Sequence, residues 1–258
     1  STDVSKKEVF FHLANSGSTD QNGQQLHIHS AGRSHAGLIT FEIMSGSEQA
    51  IFRHDVGSST LITDGTWHHY AFTAITNESE IISNLYLDGV HKSKILPLDT
   101  SATIGTIDGT MIAALGALCQ PYRLGGTSNG AEGWGNVVQC SFDEFRYWKT
   151  ERNAQQIGRH YRDQIGGGTN TDNEKYDDIA NFVDLGVYYK FNEGITGDNT
   201  TDATILDYSG RISNGTFINY NSSEARNTGS AMVIAGVAAK EFKDPIVYSS
   251  HPDVDTLL

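Results

Sequence analysis

Residues 81–95 read IISNLYLDGVHKSKI, and the dipeptide at their centre decides how the chain is read. Asp88-Gly89 lies between two runs rich in Ile, Leu, Tyr and Val. A two-residue turn that matches the twist of its strands needs positive φ at both central positions, and Asp-Gly supplies them. A hairpin between strands at 81–87 and 90–96 follows, and with it a chain built from sheets.

Upstream, DGTWHHYAFT at 64–73 reads as the approach to another strand over 67–74. Alternation places Trp67, His69, Ala71 and Thr73 on one face and His68, Tyr70, Phe72 and Ala74 on the other, so the adjacent histidines cannot chelate one ion. Residues 8–13, 25–30 and 37–43 are short β-rich runs between Gly, Ser and Asn clusters and are expected to form a meander. Residues 98–118 alternate only weakly and read as irregular strand and loop, while TSNGAEGWGN at 127–136 reads as a Gly-rich loop. VVQCSFDEFRYW at 137–148 is long enough for a central strand, with a bulge between Phe142 and Phe145 to let both face inward.

One helix is expected, in TERNAQQIGRHYRDQIGGG: Thr150 caps it, Ala154, Ile157, Tyr161 and Ile165 recur at helical spacing, and three glycines end it. A further strand, DLGVYYKFNEG, follows an acidic loop, and from Gly229 the chain reads as an extended arm. The expected fold is an all-β antiparallel sandwich with one short helix: a single domain over 1–228, in which 187–220 form a closing strand and loop, followed by the arm at 229–258.

The bulk numbers agree. A chain of 258 residues with 38% hydrophobic content can bury a full core, and 27 Gly against 4 Pro favour many short strands. A net charge of −13 excludes a phosphate-binding surface made of clustered Lys and Arg, so nucleic acid is a poor partner. The same charge suits an extracellular or virion-surface protein kept soluble by self-repulsion. No run of 18 apolar residues is present, which argues against membrane insertion, and STDVSKK has no apolar signal core. Position 1 is Ser, so the chain is expected to be a processed product or an excised fragment. Cys119 and Cys140 form a disulfide only if their strands are neighbours, which spacing leaves open.

DGTWHHYAFT, LYLDG, YRLGG and SFDEFRYW followed by a short helix together resemble the concanavalin A-like, laminin-G-type jelly roll that includes the pentraxins, over residues 8–165. In that family the first motif is a central strand, which implies that Trp67 and His69 pack in the core. GVYYKFNEGITGDNTTDATILDYSGRISNGTF resembles another piece of the family, one that usually opens such domains and here is expected to close the sandwich. That segment and EFKDPIVYSSHPDV also resemble regions of large structural proteins of marine tailed phages.

The glycosidases of this fold carry Glu-x-Asp-x-x-Glu on one strand, and no such run occurs here. Asp143 and Glu144 are adjacent and would face opposite ways, the wrong arrangement for paired work on one glycosidic bond. A Ser-His-Asp site would need a nucleophile elbow, which the chain is not expected to form. No hydrolase activity is expected. Of ten His, seven precede residue 70; His27 and His29 share a face but read as a solvated pair rather than as zinc ligands.

The resemblance implies a structural Ca²⁺ with Asp143 as ligand, and Asp207 of the DYSG loop is a second oxygen donor; the competing reading has Asp143 bonding loop amides. Asp172, Asp177 and Asp178 lack the spacing of a calcium loop and read as solvated. Sequons at Asn77, Asn199, Asn214 and Asn221 matter only in a eukaryotic secretory pathway. Trp134 among glycines is the candidate sugar platform, with Asn129, Glu132 and Asn136 to bond hydroxyls; the alternative has Trp134 folded back as a lid. The leading expectation is a noncatalytic module that recognises glycans or cell surfaces. Its rival is an assembly module that packs on neighbouring chains and has no small ligand.

Overall fold

The computed structural model describes residues 7–15, 24–30, 37–45, 48–57, 64–77, 80–97, 104, 110–117, 134–136, 141–162, 185–193, 196–211, 213–218 and 220–221. The chain divides into two compact units, Ser1–Ser141 with Glu151–Tyr161, and Phe142–Thr150 with Arg162–Leu258. The expected boundary at 228, the arm, Cys119 and Cys140 lie outside the described residues.

In the first unit, β1 (Lys7–Asn15), β2 (Gln24–Ser30), β3 (Leu38–Ser45) and β4 (Glu48–Asp55) pair as an antiparallel meander. The first three match the expected runs, whereas β4 went unread. A second sheet holds β5 (Tyr70–Asn77), β6 (Glu80–Leu87) and β7 (Val90–Ile95), also antiparallel. The β6–β7 turn is the Asp-Gly hairpin as read, with φ of 51° at Asp88 and 76° at Gly89. β8 (Met111–Leu115) lies antiparallel to β1 on its free side, and β9 (Trp134–Asn136) runs parallel to Lys7–Val9, giving a six-stranded sheet.

Registered alternation turns one face of this sheet apolar. Phe41, Ile43, Ala50 and Phe52 form a buried cluster against Phe72, Ala74, Ile81 and Ile95 of the other sheet, with the Phe41 and Phe72 rings stacked at 6.2 Å. Ile39, Val56 and Leu85 form an adjoining cluster with Phe10 and Tyr70. Apolar side chains of the two sheets therefore meet in these clusters. Burying one such Phe contributes about 1.5–3 kcal/mol.

One polar residue crosses that seam. His54, fully buried on β4, holds Ser93 Oγ at 2.7 Å from Nδ1 and Ser83 Oγ at 2.9 Å from Nε2. A neutral imidazole has one donor and one acceptor, and hydroxyls serve both. Burial, with a smaller push from His91, lowers its pKa to about 4, so the ring is neutral near pH 7.

The helix α1 (Ala154–His160) is capped by Asn153 and not by Thr150. Asn153 Oδ1 accepts from Gln156 N at 2.9 Å and Gln156 Oε1 accepts from Asn153 N at 3.0 Å, a reciprocal box that Thr150 cannot make from its position. The helix stops at Tyr161, short of Ile165, and Ala154 is exposed, so Ile157 alone carries the buried apolar stripe. A Cβ on Gly89 would stand 2.5 Å from the Tyr161 ring, so the hairpin tip is close-packed as well as left-handed.

In the second unit, β10 (Phe145–Trp148) pairs antiparallel with β11 (Leu185–Tyr189). Of the strand expected over 137–148, residues 137–140 lie outside the described residues and β10 begins at Phe145, after Glu144, which is left-handed at φ 53° where a bulge was expected. Phe191 at φ 54° follows Lys190 and lies beyond the end of the later strand. Leu185 and Tyr188, both fully buried, pack with Trp148 and Tyr208. A second short helix, α2 (Asn199–Asp202), and a two-residue ladder of β12 (Thr204–Ile205) with β13 (Gly215–Thr216) complete the unit. The fold is all-β and antiparallel in the main, as expected, but it carries two helices among the described residues where one was expected.

Candidate functional site

Trp134 and Asn136 lie in β9 and not in a loop, and the backbone of Gly135 is registered against Glu8. The open amides that made TSNGAEGWGN attractive are there part of a ladder. Asn129 and Glu132 fall outside the described residues. So does Gly126-Thr127-Ser128-Asn129-Gly130, which does spell the G-x-S-x-G of a nucleophile elbow.

Asp143 and Asp207 both belong to the second unit. Asp143 Oδ1 accepts from Glu144 N at 3.0 Å. Asp207 is more heavily used. Its Oδ1 accepts from Tyr188 N and Ser209 N at 3.0 and 2.9 Å, and its Oδ2 from Ser209 Oγ and Ser213 N at 2.8 and 2.9 Å. Four donors on one carboxylate tie the DYSG loop to β11. Among the described residues no group of three His, Cys, Asp or Glu is placed to hold a metal. Glu144 is engaged as well: its Oε2 accepts from Tyr188 Oη at 2.6 Å and from Arg146 Nη2 at 3.1 Å. Lys190 Nζ stands 4.7 Å from the Tyr208 ring centroid and 5.3 Å from that of Tyr188.

The expected solvated pair is the largest correction. His27 and His29 are buried, with His12, on the sheet face opposite the phenylalanines. Register lines up His12 of β1, His27 of β2 and Glu42 of β3, with His12 and His27 edge to face at 5.0 Å. His29 Nδ1 donates to Ser30 O at 2.8 Å, leaving Nε2 toward Glu42 Oε2 at 3.4 Å, and Gln49 donates to the other Glu42 oxygen. His27 packs between the rings of His12 and His29, at 5.0 and 6.3 Å. The alternation H-x-H was visible; the register that adds His12 and Glu42 was not.

The other correction concerns Trp67, expected in the core and found 42% exposed. The strand begins at Tyr70, and residues 64–69 form a turn in front of it. Asp64 Oδ1 accepts from Thr66 N and Thr66 Oγ1, both at 2.8 Å, an Asx turn closed twice. At the other end Asp88 Oδ1 accepts from His69 N at 2.9 Å and Asp88 N donates to His69 O at 2.8 Å. Between them lies His68, with Nε2 at 2.9 Å from Asp64 Oδ2 and Nδ1 at 2.7 Å from Asp88 Oδ2. The hydrogen bond to Asp64 is the main cause of a raised His68 pKa, opposed by partial burial and aided by Asp88. The same bond, with those from Thr66, holds Asp64 down to about 2. His69 does pack inward, its ring 5.8 Å from that of Tyr161. The result is an exposed indole on a backbone fixed at both ends by carboxylates, beside the Thr66 hydroxyl. Such a surface can stack on an apolar ring face and hydrogen-bond around it.

No protein-family model, no curated protein and no solved structure matches this chain.

Proposed function

We propose that the chain is a noncatalytic recognition module of laminin-G type, part of a larger extracellular or particle-surface protein, which binds glycans through the turn that presents Trp67. One observation carries the reading: a large aromatic side chain, 42% exposed, stands on a backbone pinned by Asp64 and Asp88. A fixed aromatic platform loses little entropy on binding, so the stacking energy is retained as affinity. The net charge of −13 disfavours polyanionic chains and favours neutral sugars. A structural Ca²⁺ at Asp143 belongs to the same proposal.

A glycan array run with the wild type, Trp67→Ala and Trp134→Ala tests it. The expected outcome is a loss of roughly tenfold or more in affinity for Trp67→Ala, about 1.4 kcal/mol or more, with the melting temperature nearly unchanged. Loss confined to Trp134→Ala moves the site to β9. A wild type that binds no glycan overturns the reading in favour of an assembly module.

A further inference from the structure

We propose that His68 is a proton-operated pin: the turn that presents Trp67 keeps its shape while the His68 ring carries both protons, and loosens when the ring loses one. The argument is geometric. Both ring nitrogens lie within 2.9 Å of carboxylate oxygens, and the two carboxylates come from different segments, Asp64 from the turn and Asp88 from the tip of the β6–β7 hairpin. An ionised carboxylate only accepts, and a neutral imidazole has one N–H to give. Only the imidazolium satisfies both sides. Once the proton leaves, a nitrogen lone pair faces an oxygen lone pair across less than 3 Å, and one end of the turn loses its tie. The remaining groups around the ring are the Thr66 hydroxyl, 3.0 Å from Nε2, and the edge-on Tyr70 ring at the start of β5. Neither can replace the missing proton for a carboxylate.

The sign follows from the direction of the shifts. His68 is raised above 6.5 in the folded chain, so its contribution is complete below pH 6.5 and is lost as the pH rises through the raised value. Asp64 is depressed from 3.8 to about 2, so that carboxylate is ionised and able to accept throughout the range above pH 3.8. The pin therefore holds below pH 6.5 and lets go as the pH rises through the raised value. Its link to ligand retention rests on the recognition reading above; its link to the turn does not.

The test uses the full chain labelled for NMR, titrated from about pH 5 to about pH 9. Two amides report on the turn directly, Thr66 N bonded to Asp64 and His69 N bonded to Asp88. We expect the His68 ring to titrate above 6.5. Protection of those two amides, corrected for base catalysis, should fall by up to about tenfold per pH unit beyond that midpoint, the slope of a single linked proton. The Phe72 amide, inside β5, should not follow. In His68→Gln, which offers one donor and one acceptor at every pH, the two amides should be weakly protected and flat across the range. A His68 midpoint at or below 6.5, or wild-type protection that ignores the midpoint, overturns the pin. Immobilised laminarin, xylan and agarose oligosaccharides, probed below and above the midpoint, test the ligand link separately. Binding that weakens with the same midpoint supports it. Binding that does not change with pH removes the link and leaves the pin to the amides. No binding at either pH overturns the recognition reading alone.

Discussion

Each of the two units of this chain is stabilised from within, and by different means. The first has strands of up to nine residues, paired along their lengths, with Phe41 and Phe52 of one sheet clustered with Phe72 of the next. Among its described residues the second has a four-residue strand, a five-residue strand and a two-residue ladder, and this short pairing does little to fix the described loops. Carboxylates take over there. Asp207 accepts four donors, and Asp202, nearly fully buried, accepts from Thr196 N and Thr196 Oγ1, both at 2.7 Å, and from Gly197 N at 3.0 Å. Asp198 caps α2 through Thr200 N and Thr201 N. Part of the acidic surplus of the sequence is thus turned inward, onto amides, and is no measure of appetite for cations.

Substitutions should separate the two modes. The largest effect is expected for Phe52→Ala, which empties the middle of the packed sheets in the first unit; it should cost about 3–5 kcal/mol in denaturant unfolding. A cost under about 1 kcal/mol would mean that the sheets do not depend on that seam. Next comes Asp207→Ala in the second unit. It strands two backbone amides on β11 and the following loop, the Ser209 hydroxyl and a third amide at Ser213, for roughly 2–4 kcal/mol, and Asp207→Asn should recover part of it. Equal stability of Asp207→Ala and wild type would show that water replaces the carboxylate at no cost. The smallest effect is reserved for calcium. An ion held at Asp143 by the folded chain alone adds about 1.4 kcal/mol at ten times its Kd, so EDTA should lower the melting temperature by a few degrees. Superimposable melts with Ca²⁺ and with EDTA would leave the second unit to its hydrogen bonds.

Local chemistry was readable and register was not. Asp88-Gly89 announces its turn because few dipeptides accept two positive φ values, and β1 to β3 announce themselves by composition. β4 escaped because Glu48, Arg53, His54 and Asp55 dilute its apolar residues, although Ala50 and Phe52 face the core and His54 is satisfied by two serines. The buried histidines escaped for a related reason: polarity argues for solvent until the partner strands are known, and only the pairing of β1, β2 and β3 brings His12, His27 and Glu42 into one row. Trp67 was misplaced by the resemblance, which implies a central strand from 67, whereas the strand starts three residues later, after a turn whose Asp64-Gly65-Thr66 start was itself visible. For a ligand residue the sequence singles out a tryptophan among polar neighbours, Trp134. The described residues offer an exposed one at 67, and they leave the Trp134 side chain undescribed.

The first unit is not a continuous piece of chain. It gives up the segment 142–150 to the second unit and resumes with 151–161, where Glu151 accepts from Thr73 and Tyr161 fills the space that Gly89 leaves open. During synthesis the hairpin tip must therefore wait for some seventy further residues before its cover arrives, and that cover leaves the ribosome only after β10 has already passed. A gene cut after residue 141 would yield sheets without their helix, and one cut before residue 151 would strand the helix with the wrong partner. Neither unit can be lifted out as one uninterrupted stretch of chain.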